Sequence, residues 1–237
     1  MTAFPFDIVG FDLDGTLLDS HGDLAHAVNH ALAIEGRPAI PAGDVRDLIG
    51  GGAKKMLAKA LELTGGDVPD ARFDELHQSL LTFYENNIAV ETQLFPGGEE
   101  MLDGLAERGV KLAVVTNKLE RFAEKIFAEL GLTDRFFTII GGDTLGPGRA
   151  KPRPDLLHLM LERSGGGRAA YVGDTTYDTG AAAAAGLPCV AVSFGFNDKA
   201  PADLGAASVI DHFDELIPAL QRLGESERHG RSSFARR

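Results

Sequence analysis

Short apolar runs rich in β-branched residues recur along the chain, each followed, in the second half, by a stretch with helical spacing. The runs are FDIVGF (6–11), KLAVVT (111–116), FFTIIG (136–141), AAYVGD (169–174), CVAVSF (189–194) and the shorter SVI (208–210). Helical patterns fall at 97–108, 119–130, 154–163, 178–185 and 213–222. Strands that are apolar throughout, rather than at alternate positions, belong to a sheet covered on both faces. Their alternation with helices makes that sheet parallel, so the pattern predicts an α/β core. Ligands of such sheets bind at the carboxyl ends of the strands.

Residues 19–95 break the alternation. DLAHAVNHALAIEG, AGDVRDLIG, GAKKMLAKALELTG and DARFDELHQSLLTFYENNI read as helices only. A structureless loop of this length is uncommon in a compact domain, so the interval is expected to be an inserted helical cap. It leaves after the first strand and returns before the second, above the carboxyl ends, where it can act as a lid. The expected division is a core of 1–18 and 96–223, a cap of 19–95, and a loose polar tail of 224–237, GESERHGRSSFARR.

Composition narrows the partners. A chain of 237 residues can bury one large core, or a core and a small second domain. The formal charge of −12 argues against nucleic acid, whose binders carry a basic footprint. It also means that any anion site must gather its cations locally. No apolar run reaches the roughly 18 residues of a membrane span. The opening MTAFPFDIVGFD has no basic start and carries Asp7 in its apolar stretch, so no signal peptide is expected. The single cysteine, Cys189, reads as a small core residue and suits a reducing cytoplasm. A monomer or a homodimer is expected.

The candidate chemistry gathers at four strand ends. Asp12 and Asp14 follow the first run, Thr116 and Asn117 the second, Lys151 the Gly-rich GGDTLGPGRA, and Asp174 and Asp178 the run AAYV. Several carboxylates beside one lysine need a divalent cation, or repulsion would protonate some of them. Oxygen ligands with one amine nearby suit Mg²⁺. Phosphoryl transfer makes use of such a set: one aspartate as nucleophile, a second carboxyl as acid and base, the cations to neutralise charge. Residues i and i+2 of an extended chain project to one side, so Asp12 and Asp14 can address one phosphorus. The implied ligand is a small phosphorylated metabolite.

Other readings of these motifs are weaker. A calcium loop counted from Asp12 would need Gly at its sixth position and Glu at its twelfth, but Leu17 and Asp23 stand there. His26 and His30 are spaced as in a zinc protease, yet Ala27 replaces the required Glu, which leaves a helix face. AVSFG lacks the first glycine of a nucleophile elbow, so Ser193 is a strand-end residue. GGG (50–52), with Lys54 and Lys55 in the next helix, is either a linker or a turn presenting amides to an anion. Arg46 carries the same ambiguity.

DLDGTL, VVTNK, KPRP and GDTTYD, in this order, resemble the four motifs of the haloacid dehalogenase-like phosphatases, and the helical interval resembles that family's cap. The resemblance covers about 4–223 and implies a Rossmann-like sheet. It implies Asp12 as nucleophile, Asp14 as acid and base, and Thr116 and Asn117 on the phosphoryl group. Lys151 would steady nucleophile and phosphate. Mg²⁺ would rest on Asp12, the Asp14 carbonyl and Asp174, with Asp178 nearby. IGGGAKKML, FYENNIAVETQLFPGGEEML, IIGGD and SFGFN are further similar to the phosphoglycolate phosphatase group. That implies 2-phosphoglycolate as substrate, with Gly51, Gly52 and Lys54 at its anionic end. A sugar-phosphate mutase would share all four motifs, as would phosphatases of sugar phosphates or pyrophosphate. Release of inorganic phosphate without a bisphosphate primer separates hydrolysis from transfer.

Overall fold

The computed structural model describes residues 3–234, with side chains through 225. In chain order the elements are β1 (Ile8–Phe11), β2 (Leu18–Asp19), α1 (His21–Ile34), α2 (Ala42–Val45), α3 (Ala53–Thr64), α4 (Asp70–Asn86), β3 (Gln93–Leu94), α5 (Gly98–Ala106), β4 (Lys111–Val115), α6 (Glu120–Glu129), β5 (Thr138–Ile140), α7 (Asp155–Ser164), β6 (Ala169–Gly173), α8 (Thr176–Ala185), β7 (Cys189–Val192), β8 (Ser208–Ile210) and α9 (Leu216–Phe234). Six of the strands form one parallel sheet in the order β5-β4-β1-β6-β7-β8. The expected α/β core is therefore present.

β1 lies at the centre because all four of its residues, IVGF, are buried and apolar or small. Alternation sends Val9 and Phe11 to one packed layer and Ile8 to the other. Gly10 lets α7 pack closely: a Cβ there would fall 2.5 Å from the Met160 sulfur, which would have to shift. β1 pairs with β4 on one side and β6 on the other, Ile8 facing both Lys111 and Ala169. The chain order reverses at β1, so the crevice beyond its carboxyl end is where a ligand of such a sheet would sit.

The helices α1 to α4 form a second packed unit. Leu57, Leu61, Leu76 and Leu80 are buried in it, each contributing about 1.5–3 kcal/mol over exposure. Its two connections to the sheet pair as a ribbon, Leu18 opposite Leu94 and Asp19 opposite Gln93. Two-residue strands carry no periodicity, so the sequence pattern did not predict them. Beside the ribbon, buried Asp23 accepts hydrogen bonds from the backbone N–H groups of Val90, Glu91 and Thr92 and from the Thr92 hydroxyl.

The polar segment expected as a loose tail is helical instead over most of its length. α9 runs on to Phe234, while 235–237 lie outside the described residues. Once its first turns are anchored by buried Leu216, Ala219 and Leu220, each further residue adds one hydrogen bond without a new nucleation cost. Apolar periodicity is not needed for that extension. Among the described residues no helix is long and apolar enough to cross a membrane.

Candidate active site

The backbone N–H of Asp12 still donates to Val172 O (2.9 Å), extending the β1–β6 ladder by one residue. The chain then turns, with the N–H groups of Leu17 and Leu18 both donating to Leu13 O at 3.0 and 2.9 Å. Gly15 makes the turn possible, since its φ is +83° and a Cβ would lie 2.2 Å from Asp174 Oδ2. The extended conformation assumed for DLD is thus cut short after Asp12. As a result Asp12 and Asp14 meet different partners.

Asp12 faces Lys151. The ammonium lies 2.9 Å from Asp12 Oδ1, an ion pair without the alignment of a hydrogen bond. The same ammonium donates to Asp178 Oδ1 (2.6 Å) and to the Tyr171 hydroxyl (2.9 Å), which in turn donates to Val115 O (2.5 Å). Burial would lower Lys151, but the charges of Asp12 and then Asp178 outweigh it and raise its pKa. Burial, with Asp178 adding to it against Lys151, pushes Asp12 up to about 6. Tyr171 was not anticipated as a site residue. Its only mark in the sequence is a hydroxyl inside an otherwise aliphatic strand, three residues before Asp174.

Asp174 is fully buried and accepts from Thr16 Oγ1 (2.9 Å) and from the Phe196 N–H (2.7 Å). Burial, then the nearby Asp178 and Asp12, hold its pKa well above the carboxylate range. Asp178 starts α8 as half of a capping box: its Oδ2 accepts from the Thr175 N–H (2.9 Å) and hydroxyl (2.6 Å). Both oxygens of Asp178 are therefore engaged, one by Lys151 and one by Thr175.

Asp14 faces Lys118, a residue the sequence reading passed over inside VVTNK. The Lys118 ammonium lies 2.8 Å from each Asp14 oxygen, and Ser20 Oγ donates to Asp14 Oδ1 at 2.6 Å. The Lys118 side chain is only 5% exposed and sits 4.7 Å from the centre of the Tyr84 ring. Burial would lower Lys118, but Asp14 and then Tyr84 raise it. The buried Tyr84 hydroxyl has no hydrogen-bond partner of proper geometry among the described residues, and burial raises its pKa. With its carboxylate turned to Lys118, any part Asp14 takes beside a cation falls to its carbonyl.

Thr116 is buried, and its hydroxyl accepts from the Lys118 N–H (3.2 Å). The Asn117 side chain grips the backbone of Lys151 from both sides, accepting from its N–H (2.9 Å) and donating to its carbonyl (3.1 Å). It also donates to Gly50 O of the helical insert, at 3.3 Å. Asn117 thus positions Lys151 with its side chain and ties the insert to the sheet.

A cavity of about 280 Å³ lies between sheet and insert; Asp12, Asp14, Thr116, Asn117 and Lys118 line it from the core, and Gly50–Lys54, His77 and Tyr84 from the insert. Lys54 is exposed on this lining, whereas Lys55 donates to the Tyr177 hydroxyl (3.3 Å) and is turned from the cavity. Arg46 stacks over Phe196, 5.1 Å from its centre, and does not line the cavity. His26 pairs with Glu91 and His30 stacks on Phe83, as residues of a packed helix face do. Ser193 donates to Asp211.

The acidic trio fits a divalent cation. Asp12, Asp174 and Asp178 each offer an oxygen, all within 4.8 Å of one another, and the buried Asp12 Oδ1 lacks a hydrogen bond. Three buried carboxylates gather beside one lysine, and a dication would reverse the rise in the pKa values of Asp12 and Asp174. Asp12 and Asp174 would hold it, with Asp178 orienting Lys151 and the loop behind them.

Comparison with known proteins agrees with this geometry. Residues 9–192 match the model of the family described as haloacid dehalogenase-like hydrolase. The chain is 38% identical over 225 residues to a phosphoglycolate phosphatase of Agrobacterium fabrum, covering 93% of this chain and 95% of that one. It is 36% identical to a phosphoglycolate phosphatase of Yersinia pestis, covering 90% and 92%. The crystal structure of a predicted phosphoglycolate phosphatase from Haemophilus somnus superimposes with a TM-score of 0.85 at 29% identity, over 93% of this chain and all of that one.

Proposed function

This chain belongs to the haloacid dehalogenase-like hydrolases and is a phosphoric monoester hydrolase, and on that premise we propose that it hydrolyses 2-phosphoglycolate through an aspartyl-phosphate, with Mg²⁺. The observation that carries this reading is the buried Asp12 carboxylate, ending the central strand beside Lys151 and lining the cavity under the insert. Asp12 attacks phosphorus; its bond to phosphorus forms as the ester P–O bond breaks. Asp14 gives a proton to the departing oxygen, then takes one from the water that cleaves the aspartyl-phosphate and frees phosphate. Lys151 offsets charge on Asp12 and the phosphoryl group, and Asn117 holds Lys151 in register. Bound Mg²⁺ would supply charge neutralisation at the phosphoryl oxygens.

Residues 19–95 serve as the cap and 1–18 with 96–223 as the core. Closure excludes bulk water and restricts the substrate to small esters. The Gly51–Gly52 turn and Lys54 face the end of the substrate that is not transferred. One buried thiol, Cys189, suits a reducing cytoplasm.

The test is inorganic phosphate release in Mg²⁺ buffer from 2-phosphoglycolate, hexose phosphates, nucleotides and pyrophosphate. The highest kcat/KM is expected for 2-phosphoglycolate, with loss of activity in excess chelator. A hexose phosphate or pyrophosphate in first place would overturn the substrate, and full activity in chelator would overturn the metal.

A further inference from the structure

A two-carbon phosphorylated acid carries a second negative group, its carboxylate, and something must receive it. Lys54 is the cap-side candidate, but it is exposed and its charge is screened by water. Arg46 stacks on Phe196 and Lys55 on Tyr177, both away from the cavity lining. Lys151 is engaged by Asp12, Asp178 and Tyr171.

Lys118 differs from all of these. It is buried, it lines the same cavity as Asp12, and it already binds a carboxylate, that of Asp14, with both oxygens at 2.8 Å. An ammonium has three N–H donors, so at most two are taken by Asp14. Tyr84 stands against the same ammonium and lines the same cavity, 2% exposed, its hydroxyl without an acceptor of proper geometry. The Tyr84 O–H has no acceptor of proper geometry among the described residues, and a carboxylate would supply one. One N–H and one O–H side by side match the two oxygens of a carboxylate. Asp12, Lys118 and Tyr84 line one cavity of about 280 Å³, so a small ester held there can face all three.

Resting on the reading of the substrate above, we propose that Lys118 and the Tyr84 hydroxyl form the subsite for the substrate's carboxylate, with the Asp14 carboxylate showing in the free protein how such a group is held. The main selectivity for an acidic ester then comes from the core loop after β4 and from α4, and Lys54 has a lesser part at the rim.

The experiment compares kcat/KM for 2-phosphoglycolate with that for 2-hydroxyethyl phosphate, an ester of the same length without the carboxylate. Lys118→Met, Lys118→Arg and Tyr84→Phe are measured beside the parent protein, with p-nitrophenyl phosphate as the check of catalysis itself. Loss of a charged hydrogen bond predicts that Lys118→Met lowers the ratio of the two kcat/KM values by about 10- to 150-fold. Tyr84→Phe, losing a neutral donor, should lower it by roughly 2- to 12-fold, and Lys118→Arg should keep part of it. Because it is a ratio, a merely structural role for Lys118 in holding Asp14 would depress both esters equally and leave it unchanged. That result, in Lys118→Met and Tyr84→Phe alike, overturns the subsite while 2-phosphoglycolate stands as substrate. If the parent protein cleaves p-nitrophenyl phosphate but does not prefer 2-phosphoglycolate, the substrate itself falls, and the subsite with it.

Discussion

The surroundings of the two buried lysines are opposite in charge balance. Lys151 meets Asp12 and Asp178, and Asp174 lies beside them with no lysine or arginine of its own among the described residues. Among the described residues Lys118 meets one carboxylate, that of Asp14. In the first region buried carboxylates outnumber cations, and burial pushes Asp12 up to about 6 and Asp174 well above its ordinary value. In the second, one charge cancels one charge. Buried pairs that balance can stand by themselves, whereas a buried excess of one sign is tolerable only with a further counter-ion. The two proposals rest on this difference: an excess of carboxylates around Lys151, and a single balanced pair at Lys118.

The sharpest break of the comparison is Asp12→Asn. The amide keeps the shape but cannot attack phosphorus, so phosphate release from p-nitrophenyl phosphate should fall by more than about 10³-fold with the far-ultraviolet spectrum unchanged. Substantial turnover in this variant would move the nucleophile elsewhere. Asp14→Asn should cost about 10²- to 10⁴-fold on esters with poor leaving groups. On p-nitrophenyl phosphate the first step should suffer less, because that leaving group needs little protonation. Equal losses on both kinds of ester would remove the proton-transfer role from Asp14.

The charge excess around Lys151 is tested by stability. With chelator present, the raised pKa of Asp12 means that the folded protein holds a proton the unfolded chain has lost. Between about pH 4 and about pH 6 this group therefore makes stability fall as pH rises. Mg²⁺ at a hundredfold excess over its Kd should stabilise by about 2.7 kcal/mol, a rise in Tm of roughly 5–10 °C for a chain of this size. The rise should shrink below about pH 6, where the Asp12 proton must first leave, and Asp174→Ala should abolish it. A Tm shift independent of pH and of Asp174 would place the cation outside the acidic trio. The smallest effect is expected at the rim: Lys54→Ala should change kcat/KM for 2-phosphoglycolate by no more than about fivefold, as exposed ion pairs are worth about 0–1 kcal/mol. A loss larger than that of Lys118→Met would reverse the order of the two lysines.

Much of this was legible along the chain. The all-apolar strands predicted the parallel sheet, and the polar residues directly after three of them, Asp12, Thr116 and Asp174, gather at one end of it because parallel strands present the same end to one side, with Lys151 brought there by the loop after β5. Less legible were the residues whose part depends on a distant neighbour. Tyr171 reads as strand filler until Lys151 is seen against its hydroxyl. Asn117 looks like a ligand-facing amide, yet its side chain is taken up by the Lys151 backbone and Gly50. The length of α9 was missed for another reason: helix extension from an anchored start leaves no apolar period to read.

By itself the sequence determined the chemical inventory: four aspartates, a lysine and a Gly-rich turn following the strands, and the helical interval set between the first two long strands. Those follow from local spacing, since strand periodicity and turn residues act over a few positions. Only the tertiary structure decided which lysine each aspartate meets. Asp14 and Lys118 are 104 positions apart and Lys151 and Asp178 are 27. They pair because β1 is threaded between β4 and β6 and because Gly15 bends the chain away from the extended path after Asp12. Pairing across a sheet is set by strand order and burial, which no local pattern encodes. So one short stretch, DLDGT, sends its two carboxylates to two different cations.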